Sequence, residues 1–131
     1  MKALLFDASS LIYSLKAKNL NPLYDGYIQW LTIYEAMNAL WKEALAKALS
    51  IEEALKILSV FSGLIDLMKV INPHGCELEI VENAWKLGLT AYDASYVVLA
   101  KRHDLILVSE DEVLRKKADG IVETTSLREL V

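Results

Sequence analysis

The feature that most constrains this fold is a run of four apolar residues, residues 3–6, that ends at a charge, Asp7. An uninterrupted apolar run of this length is typical of a strand buried on both faces, as in the middle of a parallel sheet. Ligands of open parallel α/β sheets bind outside the carboxyl ends of the strands, where Asp7 would lie. Asp7 is therefore either a functional group or a turn or capping residue, and Ser9 or Ser10 is the expected cap of the following helix.

A second apolar run, residues 105–108, precedes the polar stretch 109–112 and predicts another central strand. Shorter segments are further candidates for strands: residues 27–30, 69–71 and 121–123. Apolar residues at helical spacing predict helices between the strands, and cap-like sequences open several of them, at Thr32, Ser50 and Thr90. This alternation predicts an α/β fold, with a mainly parallel central sheet flanked by helices in an α/β/α sandwich.

The chain of 131 residues has the length of one domain, residues 1–131, and its hydrophobic fraction of 54% is ample for a core. The single cysteine, Cys76, cannot form an intrachain disulfide, which favours a reducing cytoplasm. Asp7 interrupts the first apolar run too early for a signal peptide. The longest apolar region, residues 57–71, contains charges and is too short to span a bilayer. We therefore expect a cytoplasmic protein with no membrane segment.

The net charge of −4 argues against a broad surface for duplex nucleic acid, which is normally basic. It is compatible with a nucleic-acid enzyme that has a small basic rim and uses metal ions to screen the encounter with a polyanion. Residues 101–102 and 115–117 are basic and could form such a rim. More often, runs of this kind lie on solvated helix faces or complement the dipole at helix C-termini.

Four carboxylates stand near the predicted ends of strands or starts of helices: Asp7, Glu35, Asp93 and Asp111. If the two strong strands are neighbours, the first and last of these acids meet at one edge of the sheet. Carboxylates about 4 Å apart repel by about 4 kcal/mol at an effective dielectric of 20, so such a cluster requires protonation or a cation. Oxygen ligands select Mg²⁺ or Mn²⁺, and the implied reaction is hydrolysis of a phosphodiester. The alternative is that Glu35, Asp93 and the 109–112 stretch only complete helix caps.

Four segments resemble the PIN-domain ribonucleases, most closely the small single-domain toxins of VapC type: residues 5–9, 34–40, 91–100 and 107–114. Their order and spacing match over essentially the whole chain. The resemblance implies a metal-dependent endoribonuclease that cleaves RNA with Mg²⁺ or Mn²⁺ in an acidic pocket. It assigns the four acids named above to that pocket, and Glu110 and Glu112 compete with Asp111 for the fourth position.

The resemblance also places Ser9 beside the first acid and Ser109 where the family has Thr or Ser. Asn38 lies one helical turn after Glu35, so on the same helix face it could orient that carboxylate. The resemblance further implies a homodimer and an antitoxin partner that blocks the pocket, commonly with a basic side chain.

Two other classes of function compete with the nuclease. The first is a non-catalytic PIN-like scaffold that binds RNA or protein without a productive metal. The second is an aspartyl-phosphate protein, but Ser9 stands where a phosphatase of that class would carry a second acid. His74 and His103 lack a visible acid–base partner and are interpreted as surface or loop residues. Three tryptophans could stack on bases, but packing in the core or a dimer interface is the preferred interpretation: Trp30, Trp41 and Trp85.

Overall fold

The protein is built around five parallel strands, as seen in a computed structural model that describes residues 2–130. The strands lie in the spatial order β3-β2-β1-β4-β5. Their bounds are β1 Leu4–Phe6, β2 Tyr27–Gln29, β3 Lys69–Ile71, β4 Ile106–Val108 and β5 Thr124–Thr125. The predicted α/β fold with a parallel central sheet is confirmed, including the short second and third strands.

Helices connect the strands and cover both faces of the sheet. Their bounds are α1 Ala8–Ala17, α2 Trp30–Leu45, α3 Ile51–Ile65, α4 Glu77–Leu87, α5 Ala91–Arg102, α6 Glu112–Ala118 and α7 Leu127–Leu130. A short 3-10 turn, Asn21–Leu23, lies before β2. Two separate apolar clusters fill the space between the sheet and the helices, and neighbouring residues of β1 alternate between them: Leu5 packs in one cluster and Phe6 in the other. Because both faces of β1 are covered, its sequence is apolar without interruption.

The pairing of β1 with β4 positions the polar residues that follow both strands. Phe6 lies opposite Val108 in the parallel register, so Asp7 and Ser109 emerge side by side at the carboxyl edge of the sheet. The backbone N–H of Asp7 donates to the carbonyl of Val108 at 3.1 Å and extends this pairing by one residue. On the other side of β1, Leu5 lies opposite Tyr27, which brings the end of β2 and the start of α2 to the same edge.

The prediction of a last strand at residues 121–123 is wrong. Residues 124–125 form β5 instead, and the preceding residues form a turn after α6 in which the N–H of Ile121 donates to the carbonyl of Ala118 at 3.0 Å. Ile121 and Val122 are apolar because they pack from this turn against the core cluster that contains α5. Burial without strand pairing leaves the same short apolar signature as a strand.

Three helix starts differ from their predicted caps. The helix α1 is capped by Asp7, whose side chain accepts from the N–H of Ser10, rather than by Ser9 or Ser10. The helix α2 begins at Trp30 rather than at Thr32. Asp111, not Ser109, caps α6. The predicted caps at Ser50 and Thr90 are confirmed.

The tryptophans do not pack in the core, so that part of their interpretation is wrong. Trp30 and Trp41 are each 56% exposed, and Trp85 is 87% exposed. Within residues 2–130, no helix combines the length and the apolar character needed to cross a bilayer.

Gly26 and Gly63 form a matched pair for testing the packing around β1. A Cβ atom on Gly26 would lie 2.6 Å from Cε2 of Phe6 and 3.0 Å from the carbonyl oxygen of Leu23, whereas one on Gly63, inside α3, would have no neighbour within 4 Å. We expect Gly26→Ala to lower the free energy of unfolding by about 1–3 kcal/mol through overpacking. Gly63→Ala should raise it by about 0.5–1 kcal/mol because alanine favours the helix. Urea unfolding monitored by circular dichroism measures both changes, and an equal effect of the two substitutions would contradict the packing described here.

Candidate active site

Asp7 is the buried centre of a hydrogen-bond network at the carboxyl edge. Its Oδ1 atom accepts from the N–H of Ser10 at 3.0 Å and from the hydroxyl of Ser9 at 2.7 Å. The hydroxyl of Ser10 lies 3.1 Å from the same atom and 2.8 Å from the carbonyl oxygen of Val108. Its Oδ2 atom accepts from the hydroxyl of Ser109. The carboxylate therefore caps α1 and is also held in one orientation by the strand end of β4.

Ser9 and Ser109, the two serines expected beside the acids, connect Asp7 to the loop after β4. The hydroxyl of Ser9 accepts from the N–H of Glu110 at 2.9 Å, and the hydroxyl of Ser109 accepts from the N–H of Asp111 at 3.1 Å. Each serine thus donates to Asp7 and accepts from the loop. The position of this loop depends directly on the position of Asp7.

The three consecutive acids of this loop have different surroundings. Glu110 faces the C-terminal helix: its Oε2 atom accepts from the N–H of Leu127 at 2.6 Å, and its Oε1 atom lies 3.5 Å from Nε of Arg128. Asp111 caps α6 through Oδ1, which accepts from the N–H groups of Val113 at 2.9 Å and Leu114 at 3.2 Å. Glu112 is exposed in the first turn of α6. Only Asp111 among them perturbs Asp93 electrostatically, so it is the loop acid on the side of the other carboxylates.

Glu35 and Asp93 approach the same edge from helices. Glu35 is half-buried in the second turn of α2, and its Oε1 atom accepts from the hydroxyl of Tyr96 at 2.7 Å. Asp93 lies in the first turn of α5, where its N–H donates to the hydroxyl of Thr90 at 3.1 Å. The carboxylate of Asp93 is not the cap-closing group, so the capping interpretation does not account for it.

Tyr96 is a residue of this site that the sequence pattern did not single out. It lies in α5 among apolar residues, and an aromatic residue in such a helix is ordinarily part of the core. Asn38, which was expected to orient Glu35, is instead exposed, and among residues 2–130 the hydrogen bond to Glu35 comes from Tyr96. The i,i+3 spacing of Asn38 is compatible with the contact, but the side chain faces solvent.

The carboxylates influence each other's protonation. Burial raises the pKa of Asp7, and the hydrogen bonds from Ser109, Ser10 and Ser9 lower it in part. Burial also raises the pKa of Glu35, with smaller contributions from the charges of Asp7 and Asp93, against the hydrogen bond of Tyr96. The pKa of Asp93 is likewise raised by burial first, then by the charges of Asp111 and Asp7. The charges of Asp7 and Asp93 thus act on Glu35, and the charges of Asp7 and Asp111 act on Asp93.

The donor chemistry of this edge fits a hard divalent cation. The groups present are carboxylate and hydroxyl oxygens, which hard cations prefer. Burial first, and neighbouring carboxylate charges second, raise the pKa values of Glu35 and Asp93. Within residues 2–130, however, no three acidic, histidine or cysteine side chains are close enough to enclose an ion by themselves. Mg²⁺ usually keeps several water ligands and binds only one or two carboxylates directly. The arrangement therefore suits a partly hydrated Mg²⁺ or Mn²⁺ better than an ion that protein ligands surround completely.

Two basic residues of α6 lie near the acids, and the histidines do not. A guanidinium nitrogen of Arg115 donates to the carbonyl of Ser109, and Nζ of Lys117 donates to the carbonyl of Gly88 at 2.8 Å and slightly lowers the pKa of Asp93. His74 contacts Glu77 at 3.0 Å in an exposed turn, and His103 follows the C-terminus of α5, at the end of that helix opposite Asp93.

The chain matches the family model of the PIN domain over residues 4–120. Two relatives from Pyrobaculum aerophilum are similar in sequence. Exonuclease VapC9 is 37% identical over 135 residues, which cover 94% of this chain and 91% of the relative. Ribonuclease VapC3 is 33% identical over 96 residues, which cover 70% of this chain and 70% of the relative.

Two crystal structures share the fold. PAE2754 from Pyrobaculum aerophilum has a TM-score of 0.81 at 32% identity, covering 98% of this chain and 86% of that one. The DNA-bound VapBC from Salmonella typhimurium has a TM-score of 0.67 at 16% identity, covering 96% of this chain and 98% of that one. The second likeness establishes a shared fold and nothing about activity.

Asp93 allows a test of the electrostatic environment in the metal-free protein. Since its folded-state pKa is raised, the protonated form stabilises the fold at low pH, and this contribution is lost as the pH rises through the folded-state pKa. We expect Asp93→Asn to raise Tm near neutral pH by a few degrees, about 2–5 °C, and the gain to vanish below the ordinary aspartate pKa of about 3.9.

Glu52→Gln is the control for this measurement, since Glu52 is an exposed acid in the first turn of α3. Glu52→Gln should not raise Tm, because an exposed acid in the first turn of a helix interacts favourably with the helix dipole and stabilises the helix. Thermal unfolding scans across pH, in the presence of a chelator, compare the Tm values of the two variants with that of the wild type. If Asp93→Asn is neutral or destabilising at every pH, the carboxylates do not repel as described.

Proposed function

Because this chain belongs to the PIN-domain family, we propose that it is a VapC-type endoribonuclease that hydrolyses RNA phosphodiester bonds with a divalent metal. Nuclease activity is supported by the names of its relatives, an exonuclease and a ribonuclease. The single observation that supports the proposal is that acids from four separate segments, at the carboxyl ends of strands or the first turns of helices, act on one another's pKa. These carboxylates are Asp7, Glu35, Asp93 and Asp111.

The four acids would hold Mg²⁺ or Mn²⁺ together with water molecules. When bound, the ion supplies polarisation of a phosphoryl oxygen and a more acidic water molecule. Glu110 is a weaker candidate for the fourth ligand than Asp111, because its carboxylate is engaged by the C-terminal helix at Leu127. Burial raises the pKa of Glu35 and Asp93, and the charges of neighbouring carboxylates raise it further; this repulsion favours occupation of the site by a cation.

The chain's own residues would orient the reacting groups. Ser9, Ser10 and Ser109 fix the orientation of the Asp7 carboxylate through their hydrogen bonds. Glu35 has Oε1 bonded to Tyr96, so its Oε2 atom is the one that would accept a proton from an attacking water. A raised pKa makes Glu35 a better base at neutral pH than an ordinary carboxylate. Lys117, beside Asp93, would contact a phosphate of the RNA.

We propose internal cleavage of RNA because the acids lie on an open edge rather than in a closed channel. Glu35 is half-buried and Asp111 is exposed, so an uninterrupted strand can reach them without threading an end. One relative is named an exonuclease, and for this reason the mode of cleavage has to be tested with a substrate that has no ends. We expect the reaction to take place in the cytoplasm, where Cys76 stays reduced.

We also propose that an antitoxin inhibits the enzyme. A structural neighbour from Salmonella typhimurium is a VapBC assembly. An apolar groove of about 460 Å³ lies between α2, α4 and α5, lined in part by Trp30, Tyr34, Val81 and Tyr92, and two of these residues adjoin Glu35 and Asp93 in sequence. A partner with apolar side chains for this groove and a basic side chain for the carboxylates would complement both features.

We further propose a homodimer, because α2 carries apolar residues that nothing in the described chain covers. Met37, Trp41 and Leu45, here called the α2 stripe, are exposed on one face of the helix at spacings of about one turn. Exposed tryptophan in an apolar patch is typical of protein interfaces.

Asp7→Asn tests the nuclease. Asparagine caps a helix as well as aspartate does, so the fold should survive while the charge is lost. On circular single-stranded RNA with Mn²⁺ or Mg²⁺, we expect the wild type to cut the circle and Asp7→Asn to be slower by about a hundredfold or more, the scale of losing an electrostatic group of an active site. Asp66→Asn, at an exposed acid after α3, should retain wild-type activity. Cleavage of linear RNA alone would indicate an exonuclease, and no cleavage of either would favour the non-catalytic scaffold.

The α2 stripe is tested by Trp41→Glu. We expect the wild type to be a dimer at micromolar concentrations. Trp41→Glu should weaken self-association by about tenfold or more, since dimerisation would bury a charge at the position of an aromatic side chain. Leu55→Glu, at an exposed leucine of α3, is the matched control and should leave the dimer intact. Sedimentation velocity across a concentration series measures the dissociation constants. A wild-type monomer throughout the series would contradict the proposal.

A further inference from the structure

We infer that Tyr96 is a positioning residue: through a hydrogen-bond chain anchored on β2, it holds Glu35 by Oε1 and leaves Oε2 as the carboxylate oxygen that would be available to a cation or a water molecule. This inference rests on the proposed function, because it assigns a role to Tyr96 in the same site. The contact itself is the 2.7 Å hydrogen bond from the Tyr96 hydroxyl to Oε1 of Glu35.

The direction of every hydrogen bond in the chain follows from counting protons. The ionised Glu35 has none, so Tyr96 donates its only hydroxyl proton to Oε1. The hydroxyl of Thr32 lies 2.8 Å from the Tyr96 oxygen, and it must therefore be the donor in that contact. The Thr32 oxygen in turn accepts from the backbone N–H of Gln29 at 3.2 Å. The chain therefore runs without ambiguity from the backbone at the end of β2 to the carboxylate of Glu35.

The chain is buried, so water cannot replace its members at little cost. Tyr96 is 1% exposed and Thr32 is fully buried. Breaking one of these hydrogen bonds would leave a buried hydroxyl without a partner, which costs its full desolvation free energy. This cost keeps the side chains of Thr32, Tyr96 and Glu35 hydrogen-bonded to one another. A second cross-link supports the same arrangement, since the side-chain amide of Gln29 donates to the hydroxyl of Ser95 at 2.8 Å. The start of α2 and the first turns of α5 are thus tied together at two points.

This geometry matters for Glu35 more than for Asp7 and Asp111. Asp7 accepts from the hydroxyls of Ser9 and Ser109 and from the N–H of Ser10, and Asp111 accepts from two backbone N–H groups of α6. Glu35 has a longer side chain with one more rotatable bond, and within residues 2–130 its hydrogen bond comes from Tyr96. Without that bond the carboxylate would sample several rotamers, and the entropy of ordering it would oppose binding of the cation. Groups that orient a metal ligand typically contribute 10–100-fold in metal affinity or activity.

Substitutions that remove one hydroxyl at a time test the chain. Tyr96→Phe removes the donor to Glu35, and Thr32→Val removes the donor to Tyr96 while preserving side-chain shape. Thr32→Ser keeps the hydroxyl and serves as the conservative rescue. Tyr27→Phe removes a hydroxyl from a half-buried tyrosine at the amino end of β2, away from the acids, and is the matched control.

The readout is the dissociation constant of Mn²⁺ in the absence of RNA, measured by isothermal titration calorimetry, beside the cleavage rate on circular RNA. We expect Tyr96→Phe to weaken Mn²⁺ binding by about tenfold or more. Thr32→Val should weaken it less, and the double variant should be no worse than Tyr96→Phe, because both substitutions break one chain. Thr32→Ser and Tyr27→Phe should bind Mn²⁺ within about twofold of the wild type, because both variants keep every hydroxyl of the chain that orients Glu35. Thermal unfolding without metal verifies that each variant is folded.

Three outcomes overturn the inference. If the wild type binds Mn²⁺ and cleaves RNA, while Tyr96→Phe and Thr32→Val bind the ion as tightly, the inference fails and the proposed function stands. The same holds if Tyr27→Phe weakens binding as much as Tyr96→Phe does. A wild type that neither binds Mn²⁺ nor cleaves RNA overturns the proposed function and the inference together.

Discussion

The parallel pairing of β1 with β4 is the constraint on which the site depends. It places Phe6 opposite Val108, so the two chain segments leave the sheet at the same height and Asp7 emerges beside Ser109. The hydroxyl of Ser109 then binds Asp7 and also accepts from the loop that carries Asp111. A slip of this register by one residue would turn each side chain to the other face of the sheet and separate these groups. The register between β1 and β4 therefore determines both the packing of the core and the positions of Asp7 and Ser109.

The same edge shows how stability and function oppose each other. Burial and neighbouring charges raise the pKa of Glu35 and Asp93, so ionised carboxylates at this edge cost free energy in the folded chain. Hydrogen bonds from serines to Asp7 and from Tyr96 to Glu35 offset part of this cost. The part of this cost that is not offset would be relieved by any positive group near the carboxylates, whether a divalent cation, a lysine such as Lys117 or a basic side chain of a partner protein. Catalysis and inhibition by a partner would then draw on the same electrostatic excess.

Capping and a position at the candidate site, which the sequence presents as alternatives, do not exclude each other in the folded chain. Asp7 caps α1 and lies at the centre of the site, and Asp111 caps α6 while it acts electrostatically on Asp93. A carboxylate has two oxygens with several acceptor directions, so one oxygen can serve the helix and the other can face the site. Asp93 is different, since the cap of α5 is supplied by Thr90. Helix N-termini at the carboxyl edge of a parallel sheet are thus suited to carry acidic sites.

Local sequence was sufficient for the parallel sheet and its central strands, and it drew attention to four acids at the ends of the elements, because burial on both faces and capping leave signatures in a few consecutive residues. It placed the last strand too early, since Ile121 and Val122 are apolar for packing from a turn. It also missed the Tyr96–Glu35 contact, which joins residues 61 positions apart and depends on how α2 and α5 pack. What the sequence by itself determined is the type and order of the elements and the acids at their ends. Which oxygens meet, and which hydroxyls orient them, was decided only by tertiary packing, because those contacts depend on distances between segments that are remote along the chain.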